Sequence, residues 1–210
     1  MSAILQAFKD ADLRKKIIFT LVMIILYRVG AQIPSPGVDY ATIAGRLRDL
    51  TEESGNLYSV INLFSGGALL QLSIFAIGIM PYITASIIVQ LLTVVIPHFE
   101  QLKKEGQSGQ AKMTQYTRYL TLALALLQSA GIVALADREQ LLGQGVRVLA
   151  EDRNFFTLVV LVITMTSGAV LVMWMGELIT EKGIGNGMSL LIFAGIATRL
   201  PTCLLYTSPS

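Results

Sequence analysis

The fold of this chain is decided by residues Ser54–Pro97, which read SGNLYSVINLFSGGALLQLSIFAIGIMPYITASIIVQLLTVVIP. No charged side chain occurs in this stretch. It is about twice as long as the ~20 apolar residues that one membrane-spanning helix needs. Polar residues and glycines interrupt it at Asn62, at Ser65–Gly67 and at Gly78, and Pro81 follows. No polar loop, however, divides it into two complete spans.

These interruptions predict a short broken half-helix, at about 57–72, that dips into the membrane and precedes one complete span, at about 74–95. Hydrocarbon cannot satisfy free backbone N–H and C=O groups. Broken backbone at membrane depth is therefore tolerated only where protein or a water-filled cavity covers it. The stretch thus predicts a cavity inside a helical bundle.

The composition places the whole chain among membrane proteins. Of its 210 residues, 53% are hydrophobic and 14% are charged, whereas a soluble domain carries about 25% charged residues. The mean hydropathy is +0.63. The formal net charge of only +2 gives no reason to expect DNA as a partner.

Residues that could support catalysis or bind a metal are sparse. Cys203 is the only cysteine, which excludes an internal disulfide and a cysteine-built metal site. His98 is the only histidine. Because zinc sites need three or four clustered ligands, we expect it to be an interfacial side chain. The HExxH, GxSxG and Walker A motifs are also absent, so we expect no enzyme activity, no metal and no cofactor.

Hydropathy along the chain predicts five spans after a cytoplasmic amino-terminal segment, 1–16. The spans are expected at about 17–33, 74–95, 119–136, 154–176 and 186–200. A basic start followed by an apolar run is also typical of a signal peptide, but no convincing A-x-A cleavage site follows and further spans do. Lys and Arg are more frequent in 1–16, 98–118 and 177–182 than in the intervening loops, which predicts a cytoplasmic amino terminus.

Two loop segments invite a functional interpretation. The basic segment 98–118 is either a topology determinant only or a docking site for an acidic or phosphate-rich partner, and Gly106–Gln110 would make its tip mobile. The sequence Gly183-x-Gly185-x-Gly187 lacks the GxGxxG spacing of nucleotide-binding loops. A flexible start to the last span, with Asn186 as a possible N-cap, is predicted instead.

Side chains within the spans give weaker indications. Gln90 and Gln128 are expected to face the bundle, because amides in hydrocarbon usually hydrogen-bond across helices. Thr84 fits the same face but could equally bond its own backbone. Aliphatic pairs one turn apart are compatible with a pore, although they occur on every membrane helix. Two spans carry such pairs, Ile79 with Ile83 and Met188 with Ile192.

Several blocks of the sequence together resemble the SecY family of bacterial protein-translocation channels. They are Ile33–Asp39, Asn62–Ala68, Ser73–Ser86, Lys103–Gly109, Gln115–Tyr119 and Gly183–Ser189. The resemblance runs from about residue 10 to Pro201. It implies an all-α membrane protein with an inverted-repeat channel of two halves, of which this chain resembles the first half. The expected fold is therefore about five transmembrane helices plus a short re-entrant plug half-helix.

The resemblance also implies roles for individual residues. The plug would include Asn62, Phe64, Ser65, Gly66, Gly67, Ala68 and Leu69. The hydrophobic pore ring would include Ile79, Ile83, Met188 and Ile192, with methionine at position 188 where isoleucine is common. One side of a lateral gate toward lipid would include Thr84, Gln90 and Gln128. The cytoplasmic docking surface would include Lys103, Lys104, Lys112 and Arg118.

The implied function is conduction of unfolded, signal-sequence-bearing polypeptides across or into the cytoplasmic (inner) membrane. The partners that the resemblance implies are the SecE and SecG subunits, the SecA motor ATPase, the ribosome and membrane lipid. A ring of flexible aliphatic side chains can seal such a channel by dewetting and still yield to a moving chain. Residues 202–210 do not continue the family pattern. They resemble translated sequencing-adapter sequence and are expected to have no function.

Two other classes of protein remain open. A secondary transporter also uses discontinuous helices, but it would want charged or ion-coordinating groups in the central stretch, which offers only amides and hydroxyls. A non-conducting helical scaffold would have no need of the broken half-helix.

Overall fold

The computed structural model describes residues 6, 9–39, 41, 72–138, 149 and 154–197. The helices named below are α1 Ala11–Gln32, α2 Met80–Val95, α3 Pro97–Lys104, α4 Gln107–Asp137, α5 Phe155–Lys182 and α6 Gly187–Ala197. The predicted plug residues from Asn62 to Leu69 lie outside the described residues, as do 198–210. The plug and the tail therefore stay predictions.

Two of these helices, α4 and α5, are long and apolar enough to cross a membrane. A third span exists if α2 and α3 are taken as one broken span, although their axes differ by 101° at Ile96. The helical bundle agrees with the predicted fold class. The number of five spans stays a prediction.

The segment before α2 is not helical, so the start predicted for the second span at about residue 74 is wrong. The helix begins at Met80 and has Pro81 in its first turn. Both Leu72 and Gly78 adopt positive φ angles, of 47° and 61°, which a right-handed helix does not accommodate. The apolar pattern alone could not reveal this, because hydropathy does not distinguish a buried turn from a helix.

The non-helical residues 72–79 are covered by protein, as broken backbone at membrane depth requires. Leu72 and Ser73 have no exposed surface, and Phe75, at 4%, is nearly as deeply buried. The chain that follows α1 pairs with them: Ser35 N–H donates to the Leu72 carbonyl at 3.1 Å, and Ile74 N–H donates to the Ile33 carbonyl at 3.0 Å. These hydrogen bonds satisfy backbone groups that lipid could not.

The segment 98–118, predicted to be a loop, is helical except at its turn. Helix α3 and the first three turns of α4 are joined only by Glu105 and Gly106, and Gly106 has a φ of 73°. A Cβ at Gly109 would overlap the carbonyl oxygen of Leu102, so glycine allows the two helices to meet closely. The mobile tip predicted at Gly106–Gln110 is thus mostly the first turn of α4. The predicted turn 177–182 is likewise the end of α5.

Candidate functional site

The four predicted pore-ring residues converge on one hydrophobic cluster, although Ile79 directly precedes α2, Ile83 lies on α2, and Met188 and Ile192 lie on α6. The buried members of this cluster are Met23, Tyr27, Phe75, Ile79, Val172, Met175, Ile179 and Leu191. Ile83, Met188 and Ile192 are half-buried and pack against it. The predicted ring is therefore one apolar site in space, with Ile79 inside the cluster and the other three at its surface.

An open cleft of about 430 Å³ adjoins this apolar site. Its lining comes from α2, α4, α5 and the start of α6: Tyr82, Ile83, Ser86, Ile87, Thr114, Arg118, Glu177, Thr180, Glu181, Asn186 and Met188. Ile83 and Met188 belong to both the cleft and the apolar site. The cleft thus combines an aliphatic end with walls that carry hydroxyls, an amide and charged groups.

The charged wall contains an ion pair between α4 and α5 that the sequence reasoning missed. Arg118 donates from Nε to Glu177 Oε1 at 3.1 Å and from Nη2 to Glu177 Oε2 at 2.8 Å. Such a bidentate pair fixes orientation as well as distance. One signal could have revealed it, since both residues flank the predicted cytoplasmic ends of spans that are neighbours in the sequence.

The other predicted docking cations lie on the surface of α3 and the start of α4. Lys104 binds Glu100 at 2.6 Å, one helical turn away, and this bond holds the pKa of the Glu100 carboxyl below its usual value. Lys112 lies 3.8 Å from Glu105. Lys103 is exposed, and no ion pair involves it among the described residues. All three lysines are accessible, whereas Arg118 is engaged with Glu177.

The three predicted lateral-gate residues do not share one environment. Thr84 donates its hydroxyl to the Met80 carbonyl at 2.9 Å, the backbone alternative considered above. Gln128 lines a second, apolar cleft of about 290 Å³ between α2 and α4 that also includes Met80. Gln90 is exposed, farther along α2. These positions place Thr84 and Gln128 near the same end of α2 and leave Gln90 apart.

Among the described residues, neither the Gln90 nor the Gln128 side-chain amide has a hydrogen bond, so the expectation that these glutamines bond across helices stays a prediction. Hydroxyls make the contact between α4 and α5 instead, since Ser129 Oγ and Thr166 Oγ1 lie 3.0 Å apart and both are buried. One of the two hydroxyls donates to the other across the helices, and the hydroxyl that accepts can donate to the carbonyl four residues earlier on its own helix. Short side chains reach the neighbouring helix without the entropic cost of ordering an amide.

The turn between α5 and α6 fixes where Met188 enters the cleft. Asn186 Oδ1 accepts the Met188 N–H at 3.1 Å, which confirms Asn186 as the N-cap. Thr180 Oγ1 accepts the Gly187 N–H at 2.8 Å. A Cβ at Gly187 would overlap the Gly176 carbonyl oxygen, so the backbones of α5 and α6 touch here. The start of α6 is thereby tied to the last turns of α5.

Replacing Asn186 with alanine is expected to lower the free energy of unfolding by about 1 kcal/mol, because the Met188 N–H at the start of α6 loses its side-chain acceptor. Asn154, which precedes α5, makes no side-chain cap hydrogen bond, so Asn154→Ala is a matched control with an expected effect near zero. Thermal unfolding of the two purified variants in detergent provides the comparison. Equal losses in both would contradict the capping role.

Comparison with known proteins places this arrangement in a family. The family model described as SecY matches residues 73–208. A protein translocase subunit SecY from Corynebacterium glutamicum is 87% identical over 202 residues, which are 96% of this chain and 46% of that protein. The chain therefore spans about half the length of the curated relatives that it matches.

Two solved structures have a similar fold at low sequence identity. One is Sec61 in the canine ribosome-channel complex from the endoplasmic reticulum, with a TM-score of 0.56 and 14% identity. The other is a structure of a protein conducting channel, with a TM-score of 0.54 and 15% identity. Each alignment covers 93% of this chain and 42% of the other. At such identities the likeness concerns the fold alone.

Proposed function

The chain belongs to the SecY family, and we propose that it forms the first half of a membrane channel that conducts unfolded polypeptides during protein secretion and membrane-protein insertion. The observation that carries the proposal is the convergence of Ile79, Ile83, Met188 and Ile192 on one apolar cluster at the end of a polar-walled cleft. Its role would be that of a channel and not of an enzyme.

The chemistry of the cleft supports conduction. Flexible aliphatic side chains bind a passing polypeptide weakly, and a narrow aliphatic constriction excludes water and ions by dewetting when no polypeptide is present. The hydroxyl and charged groups of the cleft wall would keep the space on one side of the constriction hydrated. A polypeptide could therefore reach the seal in water and cross it without forming strong contacts.

The remaining parts of the channel are proposed from the family pattern. The plug would lie at about 57–72, and a lateral gate would involve the α2 and α4 residues Thr84, Gln90 and Gln128. The amino terminus would be cytoplasmic, in the cytoplasmic membrane. SecE and SecG would be accessory subunits, and SecA or the ribosome would dock near α3 and the start of α4. The exposure of Lys103, Lys104 and Lys112 there supports such a surface.

Cysteine at position 83 tests the proposal against a secondary transporter, the alternative class. The protein to use is a chimera in which this chain replaces the matching residues of the C. glutamicum relative. A stalled, signal-sequence-bearing polypeptide is expected to crosslink to Ile83→Cys, because Ile83 borders both the apolar site and the cleft. Ile163→Cys, on an exposed face of α5, is the control and should not crosslink. Protection of position 83 by a small solute, with no polypeptide crosslink, would favour the transporter.

A further inference from the structure

We infer that Arg118 is a positioning residue that acts within the chain, by holding α4 against the end of α5 beside the cleft, and that it is not a cation presented to a cytoplasmic partner. The inference reassigns one of the four predicted docking residues. It adds to the proposed function. Of the two measurements described below, only the rate of precursor translocation depends on that function, and the unfolding midpoint does not.

The exposure of the two partners differs, and this difference carries the argument. The Glu177 side chain is 17% exposed, whereas that of Arg118 is 47% exposed. In the intact pair the Arg118 side chain therefore has more contact with water than the Glu177 carboxylate, which depends more on its partner to offset its desolvation. A largely buried carboxylate that loses its partner is costly, because its desolvation is no longer offset. Removing the arginine should thus do more harm than removing the carboxylate charge.

The surroundings of the pair offer Glu177 no substitute. Among the described residues that line the cleft, Arg118 is the one cation, and Glu181 adds a second carboxylate one turn farther along α5. The other polar groups that line the cleft are the phenol of Tyr82, the amide of Asn186 and three hydroxyls, those of Ser86, Thr114 and Thr180. None of these can neutralise a carboxylate, so among the described residues that line the cleft only the guanidinium offsets the charge of Glu177 where α4 meets α5.

The lysine pairs of the same region differ from the Arg118–Glu177 pair, because both side chains of each lysine pair are exposed. In the Lys112–Glu105 pair the side chains are 61% and 50% exposed, and their charged atoms are 3.8 Å apart. Exposed single-contact pairs contribute little to stability, and their lysines remain available to a partner. Of the three ion pairs described here, that of Arg118 is the one that combines two short hydrogen bonds with a shielded carboxylate on another helix.

The test is a mutant cycle in the chimera, with Arg118→Ala, Arg118→Lys, Glu177→Gln and the double variant Arg118→Ala/Glu177→Gln. The first readout is the thermal unfolding midpoint in detergent, and the second is the initial rate of precursor translocation into vesicles. We expect Arg118→Ala to lower the midpoint by on the order of 3 °C, with Glu177→Gln milder. The double variant should recover most of the loss. Arg118→Lys should be intermediate, because an ammonium cannot make the bidentate contact.

Lys112→Ala is the matched control, since it removes a cation that lies earlier on α4 and forms only an exposed pair. It should leave the unfolding midpoint unchanged. A cation that served only a partner would give a different pattern: Arg118→Lys near wild type, an unchanged midpoint for Arg118→Ala, and no recovery in the double variant. That pattern would overturn the inference. If the unmutated chimera fails to translocate, the proposed function fails, while the unfolding midpoints still decide the role of Arg118.

Discussion

Replacing Gly168 with alanine is expected to lower the free energy of unfolding by about 2–3 kcal/mol, as overpacking of a close contact does. Gly168 is buried on α5, and a Cβ there would overlap the carbonyl carbon and oxygen of Ile74 and crowd its side chain. The overlapping atoms are backbone, so no side-chain rotation can relieve the contact. Ile74 is also held by its own hydrogen bond to the Ile33 carbonyl. Either α5 or the buried turn at 72–79 must move.

Gly131 provides a matched control on α4, because a Cβ there would meet nothing within 4 Å. Gly131→Ala should be neutral or should raise the stability by up to about 1 kcal/mol, since alanine favours the helix over glycine. Chemical denaturation of both variants of the chimera, followed by circular dichroism, measures the difference. Similar effects from the two substitutions would mean that the contact between α5 and the turn is not tight.

The sequence was sufficient to predict the helical bundle and the break before α2, but not the extent of that break. Gly78 and Pro81 indicated an interruption, and the absence of charge indicated burial. The start of the helix depends on pairing between Leu72 and Ser35, which are far apart in the sequence. Local patterns carry no information about such a partner. The segment that forms α3 and the start of α4 was predicted to be a loop for another reason. Its polar composition indicated exposure to solvent, but an exposed helix and a loop can have the same polar composition.

The candidate site was predictable in part. The family resemblance, together with the i, i+4 spacing of the aliphatic residues, identified the four ring residues that the fold brings to one cluster. The polar wall was not predictable, because its members come from four helices and each is ordinary in its local context. Arg118 shows this most clearly. In sequence it is one of several cations in a basic segment, and its bidentate contact with the shielded Glu177 carboxylate, which separates its role from that of Lys112, is visible only in the fold.

Replacing Ile83 with asparagine is expected to raise the resting ion conductance of the chimera several-fold, without a comparable loss of stability. Ile83 borders the cleft and is half-buried, so a polar side chain there meets water and weakens the aliphatic constriction. Ile79 should respond differently, because it is only 7% exposed and lies inside the hydrophobic cluster. Ile79→Asn buries an amide among aliphatic side chains and should cost about 3 kcal/mol of stability.

Ile87 is the control for this pair, since it lies one turn beyond Ile83, lines the same cleft and is 52% exposed. Because it packs outside the apolar cluster, Ile87→Asn should change neither the conductance nor the stability. Conductance is measured in planar bilayers without a polypeptide substrate, and stability by thermal unfolding of the same preparations. If Ile83→Asn and Ile87→Asn leak equally, the seal does not lie at the apolar site. A leak confined to position 83, with the loss of stability confined to position 79, requires that Ile79, just before α2, face the core and that Ile83, in the first turn of α2, face the water-filled side.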